Sequence, residues 1–214
     1  MPKTSEYSAR KGLPGRKAQA AHNDGVILEA ARAVFLADAT APIAAVAERA
    51  GVGISALYRR YPSKEALLRT LCHEGLRSYN AEADAALEAS DGWDGLVGFL
   101  RRIVDTDVHS LTVHLAGTFT PDESILPEVE HSAEVTAELV RRAHARGRLR
   151  ADVTAYDIGL VLESCAAITL PDPERTAQLR RRILAILVAG LSADGDLPGP
   201  PPAPNEFAWR WQRR

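Results

Sequence analysis

The stretch TAPIAAVAERAGVGISALYRRYPSK, from Thr40 to Lys64, decides the fold. It reads as two short helices joined by a tight turn. Ile43, Val46, Ala47 and Ala50 recur at helical spacing and mark the buried side of the first helix. Gly51 supplies the residue that reaches positive φ without a Cβ penalty, so it ends that helix and turns the chain. Val52 fills the angle between the helices, and Gly53 is an acceptable N-cap for the second. The second helix, Ile54 to Tyr61, stops where Pro62 lacks a backbone donor and restricts Tyr61. Two helices around a glycine-containing turn form a helix-turn-helix.

The second helix has two unlike sides. Leu57 faces inward, with Val52 and Tyr61 as packing partners, which leaves Ser55, Tyr58, Arg59 and Arg60 partly on other faces. That outer set is hydroxyl, phenol and two guanidiniums, with no acid among them. Hydroxyls and arginines reach base edges and phosphates in a major groove. A solvated polar face on an ordinary helical protein has the same composition, and the flanking residues separate the two readings.

Those flanks are ILEAARAVF (27–35), VAERAGVG (46–53) and ALYRRYPSKEALL (56–68). With their spacing, Asn23 to Leu71 resembles the DNA-binding domain of the TetR family of bacterial transcriptional repressors. The resemblance implies an all-α fold of about nine helices, and a cytoplasmic homodimer that binds a palindromic operator in double-stranded DNA. It further implies a helical C-terminal domain that binds a small-molecule effector. The candidate DNA contacts are Pro42, Ile43, Gly53, Ile54, Ser55, Ala56, Tyr58, Arg59, Arg60, Tyr61 and Lys64, with Arg16 and Lys17 from the N-terminal arm. Lys64 sits where a helix N-terminus favours phosphate, and in the family this lysine commonly touches the DNA backbone. Two positions depart from the family pattern. Ala41 and Pro42 stand where two hydroxyl residues often open the first helix of the motif, and Gly53 stands where serine often caps the second.

The 214 residues allow one or two domains with a sizeable core. Apolar residues make up 46% and charged residues 25%, the balance of a globular chain. No apolar run approaches the ~20 residues of a membrane span. The basic N-terminus has no apolar segment behind it, so no secretory signal is expected. Two cysteines, Cys72 and Cys165, suggest no disulfide framework. The net charge of −2 conceals a division. Residues 1–64 hold ten Lys/Arg and five Asp/Glu, while residues 65–214 hold sixteen and twenty-three. A basic N-terminal third on an acidic body is the electrostatic footprint of a DNA-reading head on a body with another task.

Taken in order, residues 1–22 are expected to form a disordered basic arm, 23–71 the DNA-binding head, 72–194 the effector-binding and dimerisation domain, and 195–214 a proline-rich tail. Asn23 or Asp24 is expected to cap the first helix, whose core side includes Ile27, Ala31 and Phe35. Ser63 caps a long helix of ~25 residues, ~38 Å, that bridges head and body, with Leu67, Leu68, Leu71, Leu76 and Tyr79 buried. The apolar period from Trp93 to Leu111 predicts one helix, followed by an irregular stretch over 112–120. Further helices are expected over 128–146, over 154–170, and over 174–191 with Leu179, Ile183, Ile186, Leu187 and Gly190 on one side. The aromatics of the terminal FAWRWQRR are open to two readings, folding back onto the body or merely being sticky.

No catalytic or metal-binding signature is present. The six histidines fall in no H-E-x-x-H or Cys/His spacing, and no nucleophile elbow, P-loop or dinucleotide fingerprint occurs. No catalytic residue, metal or cofactor is therefore assigned. Ligand-pocket candidates are Trp93, Phe99, Ile103, Thr106, His109 and Val113, on or beside the apolar stripe of their helix. Dimer-interface candidates are Ile158, Val161, Leu162, Ala166, Ile183 and Leu187, because the last two helices carry more apolar surface than one packing stripe needs. The competing readings are an enzyme with a borrowed DNA-binding head and an effector-free architectural DNA binder.

Overall fold

The computed structural model describes residues 16–204 and 206. Among them the chain forms nine α-helices, one short 3-10 turn and no strand, the all-α architecture expected. The head consists of α1 (Arg16–Ala37), α2 (Ile43–Ala50) and α3 (Ile54–Arg60). The helix α4 (Lys64–Leu87) leads into a body of α5 (Gly92–Asp105), α6 (Val108–Leu115), α7 (Leu126–Ala145), α8 (Ala155–Ala166) and α9 (Pro173–Leu191).

The helix α1 starts earlier than expected. It takes in residues 16–22, which the absence of an apolar period had assigned to the arm. RKAQAA is rich in good helix formers and contains neither glycine nor proline, so propensity carries the helix beyond its apolar side. Asp24 is consequently inside the helix and caps nothing. Residues 1–15 and the terminal 207–214 lie outside the described residues.

Gly51 ends α2 at φ 67°, ψ 27°. Its N–H reaches the Glu48 carbonyl at 3.1 Å, and the Val52 N–H reaches that of Ala47 at 3.0 Å, the paired bonds of a Schellman turn. Gly53 caps α3 through extended backbone alone. The head core gathers Ile27, Ala31 and Phe35 from α1, Val46 and Ala47 from α2, Leu57 from α3, and Leu67, Leu68 and Leu71 from α4. It also takes Leu111, Leu115 and Phe119, which belong to α6 and the turn behind it. The expected boundary after Leu71 therefore does not separate two cores.

The Ser63 hydroxyl accepts from the Ala66 N–H at 3.0 Å and starts α4. Farther along α4, Asn80 is buried where Leu76 and Tyr79 were expected to be, and both of these are half-buried. The body core is built around Leu96, Phe99, Leu100, Ile103, Leu139, Ile158 and Leu162. Two glycines set its close approaches: a Cβ on Gly92 would stand 2.3 Å from the Arg142 carbonyl oxygen, and one on Gly95 would stand 2.8 Å from that of Ala86.

Three sequence expectations for the body need correction. The predicted Trp93–Leu111 helix is broken in two at Asp107, which adopts φ 55°, ψ 27°. The helix α8 ends at Ala166 rather than near Leu170, because Arg180 takes the carbonyls of Ala166 and Ile168, and the Thr176 hydroxyl accepts from the Leu170 N–H at 3.0 Å. In α9 the buried stripe is Thr176, Arg180, Leu184 and Leu191; of the expected stripe, Ile183 and Leu187 are half-buried against the body core, Leu179 is half-buried, and Ile186 and Gly190 are exposed.

The glycine geometry predicts opposite outcomes for two alanine substitutions. Gly92→Ala should lower stability by ~1–3 kcal/mol, because α7 backbone occupies the place of the new methyl. Gly75→Ala, in open space on α4, should raise it by ~0.5–1 kcal/mol through helix propensity. Urea unfolding of the two variants checks both.

Candidate functional site

The helix α3 is held by Leu57, fully buried, and by Tyr61, 3% exposed, which pins its C-terminal end. Because these two face the core, Ile54, Ser55, Tyr58, Arg59 and Arg60 face outward, with Pro42 and Gly53 exposed beside them. Ala56 is half-buried. The side chains of two expected DNA contacts, Ile43 and Tyr61, are in the head core. The Tyr61 hydroxyl is buried without a hydrogen-bond partner among the described residues, and burial raises its pKa. Arg16 and Lys17 fall in the first turn of α1.

The two arginines of α3 differ. Arg59 is exposed and has no side-chain partner among the described residues. Arg60 donates from Nε and Nη2 to the two carboxylate oxygens of Asp24, each at 2.8 Å, and these bonds raise its pKa. Its guanidinium also lies 5.4 Å from the centre of the Tyr61 ring. Arg60 thus ties α3 to α1, and the tie was not legible while Asp24 was read as a cap.

In the body, the pocket candidates divide. Trp93 and Phe99 are solid core, with Arg148 above the Trp93 ring and the Phe99 ring meeting Tyr79 edge-on at 5.1 Å. Thr106 is exposed and its hydroxyl bonds the Arg102 carbonyl at 2.7 Å. Val113 is half-buried. Ile103 and His109 do meet, in a cleft shared with Asp107, Leu162, Cys165 and Arg180. The cleft has room for about 10 Å3, one water.

Asp107 and Arg180 are the cleft residues that sequence reading missed. The carboxylate of Asp107 accepts from Arg180 Nη1, and its backbone carbonyl accepts from Arg32 Nη2 of α1. A second Arg32 bond reaches the Thr106 carbonyl at 3.1 Å. The available signal was an acid, and a distant arginine, interrupting two apolar periods. Burial pushes the Cys165 thiol up to about 11, and that of Cys72 equally, so neither is a thiolate at neutral pH. Among the described residues no group of three His, Cys, Asp or Glu could hold a metal ion, and no helix is long and apolar enough to cross a membrane.

Of the dimer candidates, Ile158, Val161, Leu162 and Ala166 are buried within the single chain and belong to its core, with Ile158 fully covered. Ile183 and Leu187 are half-buried. The exposed apolar side chains of α8 and α9 are instead Tyr156, Leu160 and Ile186, the last 58% exposed.

Comparison with known proteins matches both parts of the chain to one family. Residues 27–71 match "Bacterial regulatory proteins, tetR family", and residues 92–193 match "Transcriptional regulator SbtR-like, C-terminal domain". The chain belongs to the TetR family. The HTH-type transcriptional repressor LfrR of Mycolicibacterium smegmatis is 34% identical over 124 residues, which cover 55% of this chain and 62% of that protein. Among solved structures, a TetR transcription regulatory protein from Mycobacterium vanbaalenii is 26% identical with a TM-score of 0.58, covering 84% of this chain and all of the other. LfrR solved in complex with proflavine is 24% identical with a TM-score of 0.54, covering 81% of this chain and 97% of the other, a likeness of fold.

Within this TetR-type head, Lys64 does not stand as expected. Its ammonium donates to the carbonyls of Ala39 at 2.9 Å and Ala41 at 2.8 Å, and lies 5.0 Å from the centre of the Phe35 ring. Desolvation lowers its pKa. These bonds clasp the α1–α2 loop, whose other support is the Asp38 carboxylate accepting from the Thr40 N–H at 2.8 Å. In this structure the half-buried Lys64 ammonium is bonded within the head. Lys64→Met should therefore lower the stability of the head by ~1–3 kcal/mol, the range for hydrogen bonds to a charged group. Thermal unfolding with and without the substitution checks this, and an unchanged transition would return Lys64 to the surface.

Proposed function

We propose that this chain is a ligand-responsive transcriptional repressor. A homodimer presents two α3 helices to successive major grooves of a palindromic operator, about 34–36 Å apart. A small molecule in the body favours a geometry in which the heads no longer fit, and the DNA is released. The observation that carries the DNA-binding reading is the outer face of α3. It displays Ser55, Tyr58 and Arg59 with no acid among them, Arg59 having no side-chain partner among the described residues, on a helix fixed from behind by Leu57 and Tyr61. The membership of the TetR family supports the same reading, as does the repressor function of LfrR.

Dimerisation is proposed through the outer faces of α8 and α9. Tyr156 and Leu160 lie one turn apart on α8, while Ile183, Ile186 and Leu187 lie on α9. A two-fold axis would make this surface self-complementary and cover Tyr156, Leu160 and Ile186, which the single chain leaves exposed. Ile186→Glu should leave the fold intact and yield a monomer by sedimentation, with operator affinity lost, because one head contacts too few bases.

The DNA surface is tested by operator binding over a range of salt concentrations. Arg59→Ala should cost ~1–3 kcal/mol and relax sequence preference if Arg59 reads a base. Arg60→Ala should cost less, because its guanidinium is already bonded to Asp24. Equal binding by the parent and Arg59→Ala would remove α3 as the reading surface.

A further inference from the structure

The break between α5 and α6 is held from outside. Apart from Asp107 itself, the apolar period of the segment carries through Ile103, Val104, Val108 and Leu111, which is the spacing of one continuous helix. The structure interrupts it at Asp107, the only non-glycine among the described residues with positive φ. Left-handed backbone is unfavourable for a residue with a Cβ, although aspartate tolerates it better than most. Three anchors keep it there: Arg180 of α9 on the Asp107 carboxylate, and Arg32 of α1 on the carbonyls of Thr106 and Asp107. A locally preferred helix and a tertiary clamp therefore compete for the same residues, which is what a two-state element requires.

Among the described residues, two guanidiniums meet at the elbow on one carboxylate. Arg32 and Arg180 share the single Asp107 carboxylate, and the Arg180 side chain is only 9% exposed. Burial and the nearby Arg180 charge both disfavour the Arg32 cation, against the pull of Asp107. The neighbouring acid Asp105 is paired with Arg181 at 2.6 Å. The cleft beside Arg180 is walled by the apolar side chains of Ile103, Leu162 and Ala166. An apolar molecule bearing one carboxylate matches these features: its charge suits the buried Arg180 guanidinium that Asp107 now holds, and its body suits the walls.

We propose that the Asp107 elbow is the effector site of this protein, and that an apolar carboxylate acts by taking the place of Asp107 on Arg180. This rests on the ligand-responsive reading above and adds the ligand class and the moving part. Asp107 occupies the position of the ligand's carboxylate in the closed form. The cleft holds no more than a water, so entry of the ligand and opening of the elbow are one event. Once Asp107 is displaced, α5 and α6 join into the continuous helix their sequence favours, which rotates α6. Because Leu111, Leu115 and Phe119 are embedded in the head core, that rotation reaches α1 directly, and the Arg32 bonds to the elbow are lost with it.

Hydrogen exchange of the full chain without DNA reads the elbow, and operator binding reads its consequence. Octanoate should accelerate exchange around the α6 N-terminus and along α1, and lower operator affinity by roughly tenfold, within the usual range of allosteric coupling. Octanol, with the same apolar chain and no charge, should do neither. Asp107→Asn retains tolerance for the left-handed backbone and removes the charge, so it should show the octanoate-like exchange pattern with no ligand added. Arg181→Ala, which breaks the exposed pair beside the elbow, should match the parent. Should Asp107→Asn not fold, Arg32→Met carries the test: octanoate should still open α6, with little further change in α1. The proposal is overturned if octanol acts as octanoate does, if octanoate leaves exchange unchanged, or if folded Asp107→Asn exchanges like the parent. A parent protein that binds no operator would instead remove the regulator reading, while the exchange data would still decide the elbow.

Discussion

The burial of α6 side chains in the head is the constraint on which the arrangement of this protein depends. Leu111, Leu115 and Phe119 lie between the body helices α5 and α7 in sequence, yet they complete the core around Phe35 and Leu68. At ~25 cal/mol per Å2 of apolar surface, burying such large side chains stabilises by ~1.5–3 kcal/mol each, more than surface ion pairs supply. Head and body are therefore not beads joined by α4. They share a helix, and whatever reorients that helix is felt by the surface that carries α3.

Polar groups then set the geometry that the apolar burial leaves open. Lys64 closes the α1–α2 loop from beneath, and Asp24 holds Arg60 against α1. In the body, Arg180 donates to the carbonyls of Ala166 and Ile168, two of the acceptors that the end of α8 leaves open. Each of these cations was expected at a surface, or was not singled out. Each instead bonds backbone or a carboxylate across a helix junction, where a guanidinium or ammonium satisfies several acceptors at once.

The helix-turn-helix itself was legible because its signals are local. Gly51 at positive φ, the extended Gly53 and the stop at Pro62 depend on the conformational freedom of single residues, and the structure repeats them position by position. The Ser63 cap and the Leu67–Leu68–Leu71 stripe are equally local. The body was harder to read. Its helices are apolar on more than one side, so periodicity alone did not identify which stripe of α9 turns inward. It turned out to be the one containing Thr176 and Arg180, whose polar atoms are bonded internally.

By itself, the sequence determined the all-α class, the position and turn of the helix-turn-helix, the acid-free outer side of α3 and the family. All of these follow from side-chain periodicity, glycine and proline conformations, or residue type at fixed spacing. Only the tertiary structure decided that Lys64 and Arg60 are engaged internally, that Ile158 and Leu162 serve the chain's own core, and that the helix after Trp93 breaks at Asp107. In each case the deciding partner is remote in sequence: Ala41 for Lys64, Asp24 for Arg60, and Arg32 and Arg180 for Asp107. A local pattern records what a residue prefers, and a partner brought from another helix can outweigh that preference by a bond whose existence depends on the completed fold.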